Sequence, residues 1–168
     1  TPLLLCPIVE VTGPNSICVG EITTLNSVPN GTWVSSNPAV ATIVAGKIHV
    51  VGLGTTIITA SQAGDINFNP AADVSRVLNI SANTQVITFS PTISKVFGSS
   101  DFLPDASASS GLEVLFSSSN PSVAIVVDNK VRIIRVGTTV ITASQDGNAT
   151  FSGATAVSTL TVTKANQT

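Results

Sequence analysis

Residues Ser35 to Gln62 read SSNPAVATIVAGKIHVVGLGTTIITASQ, and the pattern returns at Ser118 to Gln145 as SSNPSVAIVVDNKVRIIRVGTTVITASQ. Asn37 realigns with Asn120 and Gly54 with Gly137, an offset of 83 residues in both cases. A repeat held at constant spacing marks one structural unit used twice. Asn37-Pro38 and Asn120-Pro121 read as turn starters, because Pro presets φ and the Asn side chain bonds to nearby amides. Two apolar runs follow, 40–44 and 47–51, linked by Ala45-Gly46; in the second copy 123–127 and 130–134 are linked by Asp128-Asn129. Two-residue links of that composition suit a tight hairpin, whose turn residues take positive φ. Gly54 and Gly137 each open a Thr/Ile-rich run of the kind that fits a pleated surface. No window of a dozen residues carries a 3.6-residue apolar period. The chain reads as all-β.

Outward from the repeat, the 168 residues divide into two units of about 80, with boundaries at 1–83 and 84–168. Such units bury only about 60–65% of their unfolded surface. The composition is 43% hydrophobic but 10% charged, against roughly 25% charged in an average soluble protein, so Ser, Thr and Asn must supply the polarity. A net charge of −2 offers no basic footprint for nucleic acid and no handle on an anionic bilayer. No apolar run approaches the length that spans a membrane. Leu3-Leu4-Leu5 lacks the positive segment of a secretion signal. The tail, Lys164 to Thr168, resembles the inter-repeat stretch Ala82 to Val86, which leads us to expect continuation into another copy.

Taken in order, strands are expected at 7–12, 17–19, 22–26, 32–35, the two hairpin runs, the Gly54 run and 73–80. Copy two opens at 86–90 and closes at 157–162. Seven or so short strands at this spacing are what an immunoglobulin-like sandwich requires. The unbroken offset predicts that 35–75 superposes on 118–158 without insertion. Only Ala82-Asn83-Thr84 separate the copies, at most ~10 Å of chain, so a stiffly joined, elongated, monomeric pair is expected.

Gly20-Glu21, Trp33 with SSNPAVATI, the GTTIITA run, and in copy two QVITFS, Phe97-Gly98, Ser109-Ser110-Gly111-Leu112 and SSNPSVA resemble the bacterial immunoglobulin-like group 2 family, of the invasin and intimin type. The similarity spans nearly the whole chain beyond residue 6. It implies tandem immunoglobulin-like β-sandwiches displayed outside the bacterial cell, acting as stalk or adhesive surface. Implied partners are neighbouring repeats of the same polypeptide and a surface glycan or protein receptor. It implies no chemistry and no cofactor.

Several single residues stand out as candidates within such a sandwich. Trp33 aligns with Phe116, and a buried aromatic on the central strand explains both. Phe68 and Phe151 share the loop before the last strand, where they either plug the end of the sandwich or mark a ligand contact. Exposure of Trp33, Phe68 or Phe151 would favour the alternative reading, a carbohydrate-binding module. His49, the sole histidine, alternates with apolar residues and aligns with Arg132, so both should face solvent; one surface His supplies no triad or zinc site. Asp65, Asp73, Asp101 and Asp105 are calcium candidates, yet calcium needs six to eight oxygens, and copy two has Asn148 and Ala156 at the positions matching Asp65 and Asp73. Cys6 and Cys18 belong to copy one alone. Their even number favours a disulfide, while a continuous strand between them would hold them far beyond the ~4.4–6.8 Å a disulfide allows. Both arrangements stand. The sequence thus points to a non-enzymatic structural or adhesive module, its recurrent residues Asn37, Pro38, Asn120, Pro121, Gly54 and Gly137 serving the fold.

Overall fold

From Gly54 to Gln62 the side chains of Thr56, Ile58 and Ala60 are buried while those between them lie further out, the period of two that an extended backbone imposes. This pattern recurs along the chain. The computed structural model describes residues 16–18, 22–24 and 31–166, and among them there is no helix. The chain divides into two compact units between Asn83 and Thr84. The strand expected at 7–12 lies outside the described residues, as does Cys6.

The first unit contains β1 (Ser16–Cys18), β2 (Ile22–Thr24), β3 (Gly31–Ser35), β4 (Ala41–Val44), β5 (Lys47–Val50), β6 (Gly54–Gln62) and β7 (Val74–Ser81). One sheet has the order β1-β7-β6-β3 and the other β2-β5-β4. Their inner faces meet in a core of Ile17, Val40, Ala41, Ile48, Ile58, Leu78 and Ile80, with Trp33 packed against it.

The second unit contains β8 (Ile87–Phe89), β9 (Thr92–Val96), β10 (Ala106–Ala108), β11 (Leu115–Ser118), β12 (Ala124–Val127), β13 (Lys130–Ile133), β14 (Gly137–Gly147) and β15 (Ser152–Thr163). Its larger sheet runs β11-β14-β15-β9, the order of the first unit's larger sheet. Opposite it lie the pairs β8-β10 and β12-β13, linked by a bridge between Phe102 and Val131. Buried Pro104 separates Phe102 from β10, and a residue without an N–H interrupts a ladder at that place. The two faces enclose Val123, Ala124, Val131, Ile141, Leu160 and Val162. In each unit the first strand of the larger sheet pairs in parallel with the last, and every other pairing is antiparallel. This is the topology of two tandem immunoglobulin-like β-sandwiches, with residues 82–86 between β7 and β8.

Two expectations need correction. The opening strand of copy two, expected at 86–90, is β8, but a strand for which no expectation was made, β9, follows it on the opposite sheet: β8 pairs with β10 and β9 with β15. The chain crosses over at Ser90-Pro91, where Pro91 has no N–H to leave unpaired and its carbonyl accepts from Thr159 N–H at 2.9 Å. The gapless superposition to Ser75 and Ser158 also fails by one residue. Thr59 pairs with Ser75, whereas its counterpart Thr142 pairs with Val157, so the offset becomes 82 beyond Phe68 and Phe151. Pro70 follows Phe68 in the first unit, and pairing resumes only at Val74; in the second unit β15 begins at Ser152, directly after Phe151.

Candidate functional site

The residues that recur between copies converge on one buried hydroxyl in each unit. Thr56 is 1% exposed, and its Oγ1 accepts from Asn37 N–H at 3.0 Å while sharing hydrogen bonds with Ser35 Oγ at 2.8 Å and Ser36 Oγ at 3.4 Å. Ser36 extends the ladder past the end of β3. Its N–H donates to Ile57 O, and its Oγ accepts from Ile57 N–H, both at 2.9 Å. The Asn37 Oδ1 then takes Ala39 N–H at 3.2 Å, and the Asn37 carbonyl takes Val40 N–H at 3.0 Å. The second unit repeats the set. Thr139 Oγ1 accepts from Asn120 N–H at 3.0 Å and meets Ser118 Oγ at 3.0 Å, and Ser119 Oγ accepts from Val140 N–H at 3.1 Å. Gly54 and Gly137 open these strands at φ 129° and 147°, and a Cβ on Gly137 would approach Val123 Cγ2 to 3.0 Å. SSNP and GTT are the two halves of one latch joining the larger sheet to the turn that starts β4 or β12.

The hairpin between β14 and β15 repeats its counterpart in the first unit. Asp65 Oδ1 accepts from Asn67 N–H at 2.7 Å and Phe68 N–H at 2.9 Å. Asn148 Oδ1 accepts from Thr150 N–H at 2.8 Å and Phe151 N–H at 2.9 Å. The Asp65 carboxylate is therefore occupied in closing a turn. Phe68 and Phe151 are half-buried behind these tips. Ile66, not singled out in the sequence, is 99% exposed at the first tip, and Ala149 takes its place in the second.

Other candidates are dispersed. Asp101 forms a two-pronged pair with Arg132, at 2.7 Å from Nη2 and 3.0–3.1 Å from Nε. The guanidinium holds its carboxyl below the usual carboxylate range. Nothing local joins two residues 31 apart in sequence, so sequence reasoning had no signal for this pair. Asp73 and Asp105 are exposed. Among the described residues no three His, Cys, Asp or Glu side chains gather closely enough to hold a metal ion. His49 is half-buried in β5, flanked across the ladder by Thr42 and Ile22.

Trp33 is half-buried beside Ala60, and Phe116 beside Ala143, in the same register; the small neighbour leaves room for each ring. The Trp33 Nε1 is buried with no hydrogen-bond partner among the described residues. Phe116 meets Phe89 at 5.9 Å between ring centres. Phe97, at 45%, is the one aromatic on the exposed side of the described chain. Nothing in the sequence singled out Gln85, which is 7% exposed. Its carboxamide donates to Gln145 Oε1 and to Ser152 O and accepts from Ser110 Oγ.

No protein-family model matches the chain, and no curated protein does. Among solved structures, human mucin-like protocadherin EC1-2 is similar at 10% identity and TM-score 0.35, covering 93% of this chain and 97% of that one. Drosophila N-cadherin EC1-4 is similar at 10% identity and TM-score 0.37, covering 94% of this chain and 49% of that one. The C-terminal 282-residue fragment of intimin, solved with the intimin-binding domain of the translocated intimin receptor, is similar at 18% identity and TM-score 0.29, covering 76% of this chain and 50% of that one. At these values the fold is read from the chain's own strand pairing.

Proposed function

We propose that the chain is a structural module that bears tension, two repeats of an array of bacterial immunoglobulin-like group 2 type displayed on a cell surface, non-enzymatic and monomeric. The parallel pairing of first and last strands carries this reading. In the second unit β9 lies beside β15 in the register Thr92↔Thr159 to Val96↔Thr163. The chain enters at one end of this pair and leaves at the other. Tension between the unit's ends therefore slides the two strands past each other and strains their hydrogen bonds together, not one at a time. The first unit has the same arrangement in β1 and β7. The residues shared by the copies support the reading too, because they are spent on the internal latch. Adhesion to a protein or glycan receptor belongs to this proposal as a role of the array.

Pulling single molecules of the full chain from its ends tests it. Phe97 N–H donates to Thr163 O, and the Pro91 carbonyl accepts from Thr159 N–H, so the odd-numbered residues between them face β15 with their backbone groups. Lys95→Pro removes a donor at the centre of that pair and should lower the unfolding force of the second unit. Lys95→Ala, which keeps the N–H and loses only the ammonium's place over the Phe102 ring at 4.5 Å, should lower it far less. Equal unfolding forces for the proline and alanine variants would refute the proposal.

A further inference from the structure

We propose that Asn148 is an acceptor for an N-linked glycan transferred by a bacterial-type oligosaccharyltransferase. Four Asn-X-Ser/Thr triplets with X other than proline occur, at Asn30, Asn79, Asn148 and Asn166, and such a triplet is the general acceptor pattern. Bacterial transferases ask for more, a carboxylate two residues before the Asn that meets a cationic side chain of the enzyme. The residues at that position are Val28, Val77, Asp146 and Lys164. Only Asp146-Gly147-Asn148-Ala149-Thr150 satisfies both conditions.

The fold presents this segment and withholds a competitor. Asp146, next to last in β14, and Asn148 and Ala149, on the hairpin tip between β14 and β15, are exposed. Asn148 Oδ1 faces the turn, where Thr150 and Phe151 donate to it, and its Nδ2 takes no part in those bonds. Asn79 instead lies within β7, paired on both sides with Ser16 and Thr55, and its Oδ1 accepts from the Thr55 hydroxyl at 2.9 Å. Drawing Asn79 into an enzyme's groove would tear the ladder. Drawing in the tip at Asn148 disturbs a turn and the last ladder pair beside it, Gly147 with Ser152.

In the transfer, Asn148 Nδ2 attacks the anomeric carbon of a lipid-pyrophosphate-linked oligosaccharide. The new N–C bond forms as the C–O bond to pyrophosphate breaks. Lipid pyrophosphate leaves with the electron pair, and the amide proton passes to the enzyme's base. The first unit supplies a natural control, because its equivalent hairpin has Ala63, Asp65 and Asn67 where the second has Asp146, Asn148 and Thr150. Asp65 closes its turn with the same two bonds, so Asn148→Asp preserves the fold and removes the nucleophilic nitrogen.

Biological use of this site rests on the export assumed above; its competence is tested separately. The full chain is secreted to a bacterial periplasm that holds a transferase and its lipid-linked oligosaccharide, then read by peptide mass spectrometry. Glycan is expected on Asn148 of the folded protein, absent in Asn148→Asp and lost in Asp146→Ala. A chain unmodified at Asn148 while a control acceptor protein is modified in the same cells would overturn the proposal. So would modification of Asn79 in preference, or undiminished transfer to Asp146→Ala. Failure here leaves the mechanical reading standing, since the pulling experiment does not involve the hairpin tip.

Discussion

A threonine hydroxyl buried under a serine-rich turn does more for this fold than its size suggests. Thr139 is 4% exposed and satisfies the Asn120 N–H, and a buried donor stripped of its partner costs about 1–3 kcal/mol. Thr139→Val should therefore destabilise the second unit by that amount and Thr139→Ser by much less, read as a shift in urea midpoint. Trp33 poses the opposite case. Truncation to Ala should cost about 3–5 kcal/mol. Trp33→Phe should cost far less, because it discards a buried N–H that has no partner among the described residues and copies Phe116. Equal destabilisation by both changes would show the indole itself to be essential. At the surface, Asp101 has a depressed pKa through its pairing with Arg132. Its folded value lies below its unfolded one, so the pair's contribution is present at neutral pH and fades as pH falls through the folded value. Both groups are exposed, which keeps the effect small. Arg132→Ala should raise the Asp101 midpoint in a carboxyl NMR titration toward the ordinary aspartate value.

Among the elements, the two hairpins invite a transplant. Asp128 and Asn129 take φ of 50° and 59°, and Ala45 and Gly46 take 50° and 72°. The Asn129 carboxamide also ties its turn to β11, donating to Val114 O at 2.8 Å and accepting from Phe116 N–H at 2.9 Å. Asn129→Ala should destabilise the second unit by about 1–3 kcal/mol. Gly46→Asn should stabilise the first by about 0.5–1.5 kcal/mol, through new bonds to the matching groups of Gly31 and Trp33; calorimetry of each variant reads both. These hairpins were legible from sequence because turn chemistry is local: Gly46, Asp128 and Asn129 are of the types that take positive φ. SSNP was legible as a turn, but its anchor was not, since nothing in GTT says which hydroxyl points inward. β9 was not legible, because Pro91 reads as the end of the 86–90 run and not as a crossing between sheets. The dropped residue after Phe151 was hidden because the alternating Ser, Thr, Val and Ala of β15 fit either register. Of the candidate sites, Asp65 was read by its charge, while the turn uses only its oxygen; Asn148 supplies the same oxygen.

For the molecule as a whole, the outward faces of the larger sheets explain a composition rich in apolar residues and poor in charge. Thr138, Val140, Thr159 and Thr161 form such a face in the second unit, and Thr55, Ile57, Val77 and Asn79 in the first. The parallel pairing of β9 with β15 adds a consequence of another kind, which is that toughness becomes a matter of direction. Force along the strands must overcome the shared bonds at once, while force across them, applied through a side chain of β9, lifts the same bonds singly, like a zip. One unit should therefore hold against steady flow along its axis and yield to a sideways peel. In the surface array proposed above, a tether built of such units would keep its grip in a current and let go by rolling.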